Sequence, residues 1–182
     1  MQQEIIIAGF GGQGVLFSGQ ILAYAAMDAG KEVTWIPSYG PEMRGGTANC
    51  TVIIADEEIG SPLVKNPQLG IALNLPSFDK YEDLLAPGGT LIVNQSMVDR
   101  TARRADINVV FVPCNEIAEE IGDKKLLNMV AVGALLTALP EISLKDIEKA
   151  LEGHLPVRHK HLLPKNYEAL KRGSEAALVV AI

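Results

Sequence analysis

Cysteine is scarce in this sequence. Only Cys50 and Cys114 occur among 182 residues, and each lies at or near the end of an apolar run, where a small buried thiol is the ordinary interpretation. Two cysteines are too few to hold a four-cysteine iron–sulfur cluster within this chain. They could form one disulfide, but nothing in the sequence suggests a secreted protein.

Long hydrophobic runs and a basic charge balance are also missing. No segment approaches the ~20 apolar residues of a membrane span, and glycine interrupts the N-terminal run 5–10 too early for a signal peptide. The 16 Lys and Arg are outnumbered by 22 Asp and Glu, which gives a net charge of −6. A nucleic-acid or anionic-membrane binder usually carries the opposite sign. We therefore expect a cytoplasmic protein that binds neither nucleic acid nor membrane.

The sequence does contain short β-branched apolar runs that alternate with helical patterns. We predict strands over 4–10, 32–37 (ended by Pro37), 48–56, 69–75, 90–94 and 107–113. We predict helices over 13–29, 76–85, 115–122, 124–139, from an N-cap at Ser143, and over 165–177. The alternation predicts an α/β fold of three layers, with a mainly parallel sheet between helices on both faces. Residues 1–182 are expected to form a single domain.

Three segments are expected at the carboxyl ends of strands, where sheets of this kind bind their ligands: 9–14, 38–47 and 74–77. The first, here called the glycine loop, contains Gly9, Gly11 and Gly14 in the spacing G-x-G-x-x-G, with Gly12 and Gln13 between the last two glycines. Glycine adopts positive φ angles and lets the backbone approach a ligand closely. A helix that begins near Gln13 would direct free N–H groups at an anion, so these five residues are candidate cofactor contacts.

The spacing of the glycine loop leaves three interpretations open. A nicotinamide or flavin dinucleotide would also need an acid at the end of the second strand, roughly 20 residues on. That strand instead ends near Ser38 and Tyr39, while Glu32 opens it at the wrong end of the sheet. The other interpretations are a tight turn without a ligand, and a contact with a phosphate group or a partner chain.

The second segment, "PSYGPEMRGGTANC" at 37–50, is here called the proline–glycine loop. Arg44 is suited to bind a carboxylate or phosphate through two parallel hydrogen bonds, and Glu42 is placed to pair with it. A solvated surface turn is the simpler interpretation of such a loop taken alone. The candidate cofactor contacts in this loop are Ser38, Tyr39, Glu42, Arg44, Gly45 and Gly46.

Several segments, taken in order from about residue 4 to 140, resemble the gamma subunit of 2-oxoacid:ferredoxin (acceptor) oxidoreductases. They read "AGFGGQGVLFSGQILAYAA", "SYGPEMRGGTANCTVIIADEEIGSP", "GGTLIVN" and "GDKKLLNMVAVGALL". The tail "LPKNYEALKRGSEAA" is also similar to the ending of that family, with Asn166 and Gly173 on typical positions. The segment "SYGPEMRGG" is most similar to the 2-oxoglutarate branch of this family.

The resemblance implies a subunit of an enzyme that oxidatively decarboxylates a 2-oxo acid and joins the acyl group to coenzyme A. Thiamine diphosphate, magnesium and iron–sulfur clusters are then expected on the alpha, beta and ferredoxin-like delta subunits, with none of these cofactors held by this chain alone. This chain would support the active-site approach on the coenzyme A side, without catalytic residues or a metal site of its own. An isolated chain would be inactive, and its bare interface would favour a homodimer.

Two other functions remain as alternatives. One is a stand-alone nucleotide-binding dehydrogenase of the Rossmann type, and the other is a regulatory module that binds a nucleotide. The sequence does not identify the oxo acid, the subunit stoichiometry, the electron acceptor or the physiological direction.

Overall fold

The computed structural model describes residues 1–39 and 47–180. Six strands and six α-helices alternate along the chain. The strands are β1 (Gln2–Phe10), β2 (Glu32–Tyr39), β3 (Thr47–Ala55), β4 (Leu69–Ala72), β5 (Thr90–Asn94) and β6 (Asn108–Val112). The helices are α1 (Val15–Asp28), α2 (Leu75–Leu84), α3 (Cys114–Ile121), α4 (Leu127–Leu135), α5 (Leu144–His154) and α6 (Leu163–Val180).

The six strands form one sheet in the order β2-β3-β1-β4-β5-β6. β1, β4, β5 and β6 pair in parallel, while β3 runs antiparallel between β1 and β2. Because β2 and β1 are both antiparallel to β3, they point the same way. Five strands therefore share one direction, and their carboxyl ends lie along one edge, here called the carboxyl edge.

Helices cover both faces of the sheet, which confirms the predicted α/β architecture. Ile5 and Ile7 of β1 point to one face and join the core formed with α1, α3, α4, α5 and α6. The alternate residues Ile6 and Ala8 point to the other face and pack against Tyr81 of α2. This alternation follows from the two-residue period of a strand. The sheet is therefore buried on both sides around β1, as a parallel sheet requires.

Two predicted boundaries were wrong for identifiable reasons. Pro37 does not end β2, which continues to Tyr39. Proline is tolerated there because β2 is an edge strand that pairs only with β3, so the missing N–H need not break a second ladder. The predicted strand 69–75 is shorter, since it ends at Ala72 and Asn74 becomes the N-cap of α2 by accepting a hydrogen bond from the N–H of Ser77.

The predicted helix 124–139 is not one regular α-helix. A 3-10 turn over Lys124–Leu126 precedes α4, and a second over Leu136–Ala138 follows it. Every residue of α4 after Leu127 is buried, as expected from its nearly continuous apolar sequence. The predicted N-cap at Ser143 is confirmed, with a reciprocal capping box to Asp146. No helix within the described ranges combines the length and the apolar character needed to cross a bilayer.

Candidate functional site

The glycine loop leaves β1 at the carboxyl edge and leads into α1. Phe10, at the end of β1, pairs with Thr47 at the start of β3, and Tyr39 pairs with Ala48. The glycine loop and both ends of the proline–glycine loop therefore leave neighbouring strands at the same edge. The sequence predicted this convergence from its alternation of strands and helices.

Two glycines of the loop have left-handed backbones. Gly12 has φ of 94° and Gly14 has φ of 76°, a region that side chains with a Cβ rarely adopt. Gly9 is needed for a different reason, because a Cβ there would lie 2.7 Å from Oε1 of Gln13. The loop is thus a tight turn that tolerates almost no side chains, as its composition indicated. Gly12 is exposed and Gly11 is half-buried, so the backbone here faces outward.

Gln13 holds the shape of the glycine loop. Its Oε1 accepts a hydrogen bond from the N–H of Phe10 at 2.7 Å, and its Nε2 donates to the carbonyl oxygen of Leu73 at 3.3 Å. Asn74 donates from Nδ2 to Oε1 of Gln13 at 3.4 Å. The Gln13 side chain therefore bonds to its own loop and to the end of β4, which fixes the two neighbouring segments against each other.

Side-chain amides continue along the carboxyl edge beyond Gln13. Asn94 donates from Nδ2 to the carbonyl oxygen of Leu73 at 3.3 Å and to Oδ1 of Asn115 at 3.0 Å. Asn74 and Asn94 are almost completely buried. Buried amides need hydrogen-bond partners, and the partners of Asn74 and Asn94 are other groups at the carboxyl edge. The set Gln13, Asn74, Asn94 and Asn115, here called the amide row, was missed in the sequence because its members lie 20 or more residues apart.

Asn128 connects the first turn of α4 to the glycine loop. Its Nδ2 donates to the carbonyl oxygen of Gly14 at 3.3 Å. A Cβ on Gly14 would lie 2.4 Å from that Nδ2, so glycine is required here for close approach as well as for its φ angle. Asn128, an amide within an apolar helix, therefore has its hydrogen-bond partner in the glycine loop.

The N-terminus of α1 lies directly after the glycine loop. Gly14 is its N-cap and supplies no side-chain hydrogen bond, and the first turn contains no acidic residue. Free N–H groups at such a terminus concentrate partial positive charge. The backbone N–H groups at this end of α1 are therefore suited to bind an anion at the carboxyl edge.

The other predicted site residues lie partly outside the described ranges. Ser38 is exposed near the end of β2, and Tyr39 is its last residue. Glu42, Arg44, Gly45 and Gly46 fall in 40–46, outside the described residues.

The sheet order disfavours the dinucleotide interpretation. In a dinucleotide-binding unit the second strand lies beside the first, whereas here β3 lies between β1 and β2. Glu32 pairs with Ala55, which in turn pairs with Gln2 at the start of β1. Glu32 therefore lies at the end of the sheet opposite the glycine loop, as predicted, and is too far away to bind a ribose there.

The comparisons with known sequences agree on one family of oxidoreductases. Residues 4–176 match the family model of pyruvate ferredoxin/flavodoxin oxidoreductase. The 2-oxoglutarate synthase subunit KorC of Methanocaldococcus jannaschii is 36% identical over 97% of this chain and 95% of KorC. The ketoisovalerate oxidoreductase subunit VorA of Methanothermobacter thermautotrophicus is 38% identical over 96% of this chain. This chain spans only 36% of that VorA and 30% of the VorA from Methanothermobacter marburgensis.

Solved structures have the same fold. The keto/oxoacid ferredoxin oxidoreductase gamma subunit from Geobacter sulfurreducens superimposes with a TM-score of 0.85 at 30% identity, covering 99% of this chain and 98% of that one. The 2-oxoglutarate:ferredoxin oxidoreductase from Magnetococcus marinus, with 2-oxoglutarate, coenzyme A and succinyl-CoA bound, gives a TM-score of 0.88 at 25% identity. The match includes 98% of this chain and 31% of the Magnetococcus chain.

Sequence, sheet order and loop geometry agree, and the stand-alone dehydrogenase is not favoured. The chain belongs to the pyruvate ferredoxin/flavodoxin oxidoreductase family, as a subunit of its gamma type.

Proposed function

We propose that this chain is the gamma subunit of a complex that oxidatively decarboxylates 2-oxoglutarate, forms acyl-CoA and CO2, and reduces ferredoxin or a similar acceptor. The KorC relatives, which align over nearly all of both chains, support this substrate. The Magnetococcus enzyme supports coenzyme A as the acyl carrier. In this proposal the chain is a single cytoplasmic domain.

The cofactors of the reaction belong to other subunits in this proposal. Thiamine diphosphate and magnesium would be held by alpha and beta subunits, and the iron–sulfur clusters by these and a ferredoxin-like delta subunit. The two thiols of this chain are unsuited to such a role. Both are fully buried, and burial raises the pKa of Cys50 to about 12.

The chain's own contribution is the carboxyl edge. The observation that carries the proposal is the left-handed backbone at Gly12 and Gly14, directly before an α1 terminus that no side chain caps. Such a surface suits a phosphate group or the backbone of a neighbouring subunit. We place the anionic part of coenzyme A there, in contact with backbone N–H groups of the glycine loop. The proposed contacts are Gly9, Gly11, Gly12, Gln13 and Gly14, with Ser38, Tyr39, Glu42, Arg44, Gly45 and Gly46 on the neighbouring loop.

The first experiment identifies the oxo acid. The complex is assembled from this chain and its alpha and beta subunits, and acceptor reduction is measured with a panel of 2-oxo acids and coenzyme A. We expect the highest kcat/KM with 2-oxoglutarate. A higher value with ketoisovalerate would favour the second candidate, to which the VorA identities of 38% and 40% point.

The second experiment tests the coenzyme A contact. Coenzyme A is titrated calorimetrically into the assembled complex with wild-type chain, Arg44→Ala or a control variant, Lys171→Ala. The control removes a cation on α6 whose side chain is 72% exposed. Loss of one charged hydrogen bond predicts a tenfold or greater increase in Kd for Arg44→Ala and little change for the control. Unchanged affinity and turnover with Arg44→Ala would remove that residue from the site.

A further inference from the structure

Gln13 is bonded to the protein through both its backbone and its side chain. Its N–H donates to the carbonyl oxygen of Phe10 at 3.2 Å, and its Oε1 accepts a hydrogen bond from the N–H of Phe10 at 2.7 Å. Within the described ranges, by contrast, the N–H groups of Gly11 and Gly12 donate to no acceptor. The hydrogen bonds of Gln13 therefore set the shape of the turn, while the N–H groups of the two glycines are open to an anion.

The carbonyl oxygen of Leu73 links Gln13 to a second amide of the amide row. Nε2 of Gln13 and Nδ2 of Asn94 each donate to this oxygen at 3.3 Å. A carbonyl oxygen has two lone pairs, so the two amides together use its acceptor capacity. Leu73 is fully buried, and its N–H donates to the carbonyl oxygen of Ala8 in β1 at 2.9 Å. The position of this one carbonyl group therefore depends on both amides.

Asn94 is placed where it can act on the glycine loop only indirectly. It is fully buried at the end of β5, and β4 lies between β5 and β1. Its Nδ2 uses its second hydrogen for Oδ1 of Asn115 at 3.0 Å, and its Oδ1 accepts a hydrogen bond from the N–H of Ser96 at 3.3 Å. No Nδ2 hydrogen of Asn94 remains for a ligand. An effect of Asn94 on a ligand at the glycine loop must therefore pass through Leu73 and Gln13.

We propose that Gln13 and Asn94 are positioning residues, which hold the N–H groups of Gly11 and Gly12 in place through the shared carbonyl of Leu73. Donors that are ordered before a ligand arrives bind it more tightly, because less conformational entropy is lost on binding. Gln13 thus contributes to the site through the shape of the loop, and its side-chain amide stays bonded to the protein. The inference rests on the proposed function, since it takes coenzyme A as the ligand of the loop.

The first measurement uses the isolated full-length chain without ligand. NMR records the backbone amide resonances of Gly11 and Gly12 in wild type, Gln13→Glu and Asn94→Ala. In Gln13→Glu a carboxylate oxygen replaces the Nε2 donor, and its repulsion from the carbonyl oxygen should displace the loop. We expect both variants to shift the two glycine resonances. Asn108→Ala is the control and should not shift them, because Nδ2 of Asn108 also donates to a backbone carbonyl at 3.3 Å, but at the opposite end of the sheet.

The second measurement uses the complex assembled with the proposed alpha and beta subunits. Coenzyme A is titrated calorimetrically, and kcat is measured with 2-oxoglutarate at saturating coenzyme A. We expect Gln13→Glu to raise the Kd tenfold or more, Asn94→Ala threefold or more and Asn108→Ala less than twofold, with kcat within twofold of wild type. In the double variant of Gln13 and Asn94 the Kd should rise by less than the product of the single effects, because both act through one carbonyl. Thermal unfolding verifies the fold of each variant.

Unchanged glycine resonances in Gln13→Glu, an unchanged Kd in Asn94→Ala, or fully multiplicative effects in the double variant would each overturn the inference. Asn94→Leu, which keeps a branched side chain without a hydrogen-bond donor, replaces Asn94→Ala if the latter does not fold. If the wild-type complex does not bind coenzyme A, the proposed function fails, and the resonances of the isolated chain still decide whether the two amides position the loop. If the complex is active and binds coenzyme A equally well with every variant, only this inference fails.

Discussion

Asn128 donates a hydrogen bond from Nδ2 to the carbonyl oxygen of Gly14 at 3.3 Å, across 114 residues of sequence. This contact joins the start of α4 to the N-cap of α1. It leaves no room for a side chain on Gly14, where a Cβ would lie 2.4 Å from the amide nitrogen. The glycine loop is thus positioned by tertiary contacts as well as by its local sequence.

Gly14→Ala should destabilise the protein more than Gly12→Ala. Both substitutions place a Cβ on a left-handed backbone, at a cost of about 1–2 kcal/mol each. Only Gly14 adds a steric conflict, since the Gly12 position is open space. Urea unfolding measures the two free energies, and Asn128→Ala in the Gly14→Ala background should recover part of the loss. If Gly12→Ala and Gly14→Ala lower the free energy of unfolding equally, the Asn128 contact does not restrict the side chain at position 14.

The buried carboxylate of Glu82 should make the free energy of unfolding depend on pH in the acid range. Its carboxylate is fully buried, accepts hydrogen bonds from the N–H groups of Arg103 and Arg104, and lies 2.8 Å from a guanidinium nitrogen of Arg100. Burial acts to raise the pKa of Glu82, but these hydrogen bonds and the Arg100 charge outweigh it and lower the pKa below its usual value of 4.5. The stabilisation is therefore complete above that value and is lost as the pH falls through the lower folded-state pKa.

Glu82→Gln should lower the free energy of unfolding at pH 7 by about 1.5–3 kcal/mol, the range for a hydrogen bond to a charged group. The difference from wild type should shrink on acidification below pH 4.5. Asp83→Asn is the matched control, because that carboxylate is 68% exposed and lies 3.7 Å from Arg103. A pH-independent difference between Glu82→Gln and wild type would contradict the assignment.

Both thiols should be inert in the folded protein. Cys50 and Cys114 are fully buried, and burial raises the pKa of each thiol well above its ordinary value of 9.0. A disulfide-exchange reagent at pH 8 should label neither residue in native protein and both in urea. Rapid labelling of one thiol in native protein, with the other as internal control, would show that its part of the core opens readily.

The fold was largely predictable because its signals are local. The run 4–10 is apolar and β-branched, and Ser143 precedes Asp146 by the spacing of a capping box. The extension of β2 beyond Pro37 was not predictable, because tolerance of proline depends on β2 being an edge strand. A single sequence does not show the strand order on which this depends.

The site was predictable in part. The glycine loop and its place at the carboxyl edge followed from residue spacing and from the alternation of strands and helices. The supporting contacts did not, since Gln13 bonds to Leu73 across 60 residues and Asn128 bonds to Gly14 across 114. An amide in an apolar helix, such as Asn128, signals that a partner exists without identifying it. Asn74 gave a weaker signal as the polar end of a buried strand.

We propose that this chain acts as one subunit of an oxidoreductase complex and not by itself. Acceptor reduction with 2-oxoglutarate and coenzyme A is measured for the chain alone, for the proposed alpha and beta subunits alone, and for all three together. We expect no turnover by the chain alone, and full turnover only when the chain is added to the proposed alpha and beta subunits. Turnover by the isolated chain, or full activity of the other subunits without it, would show that this chain is not a required subunit of such a complex.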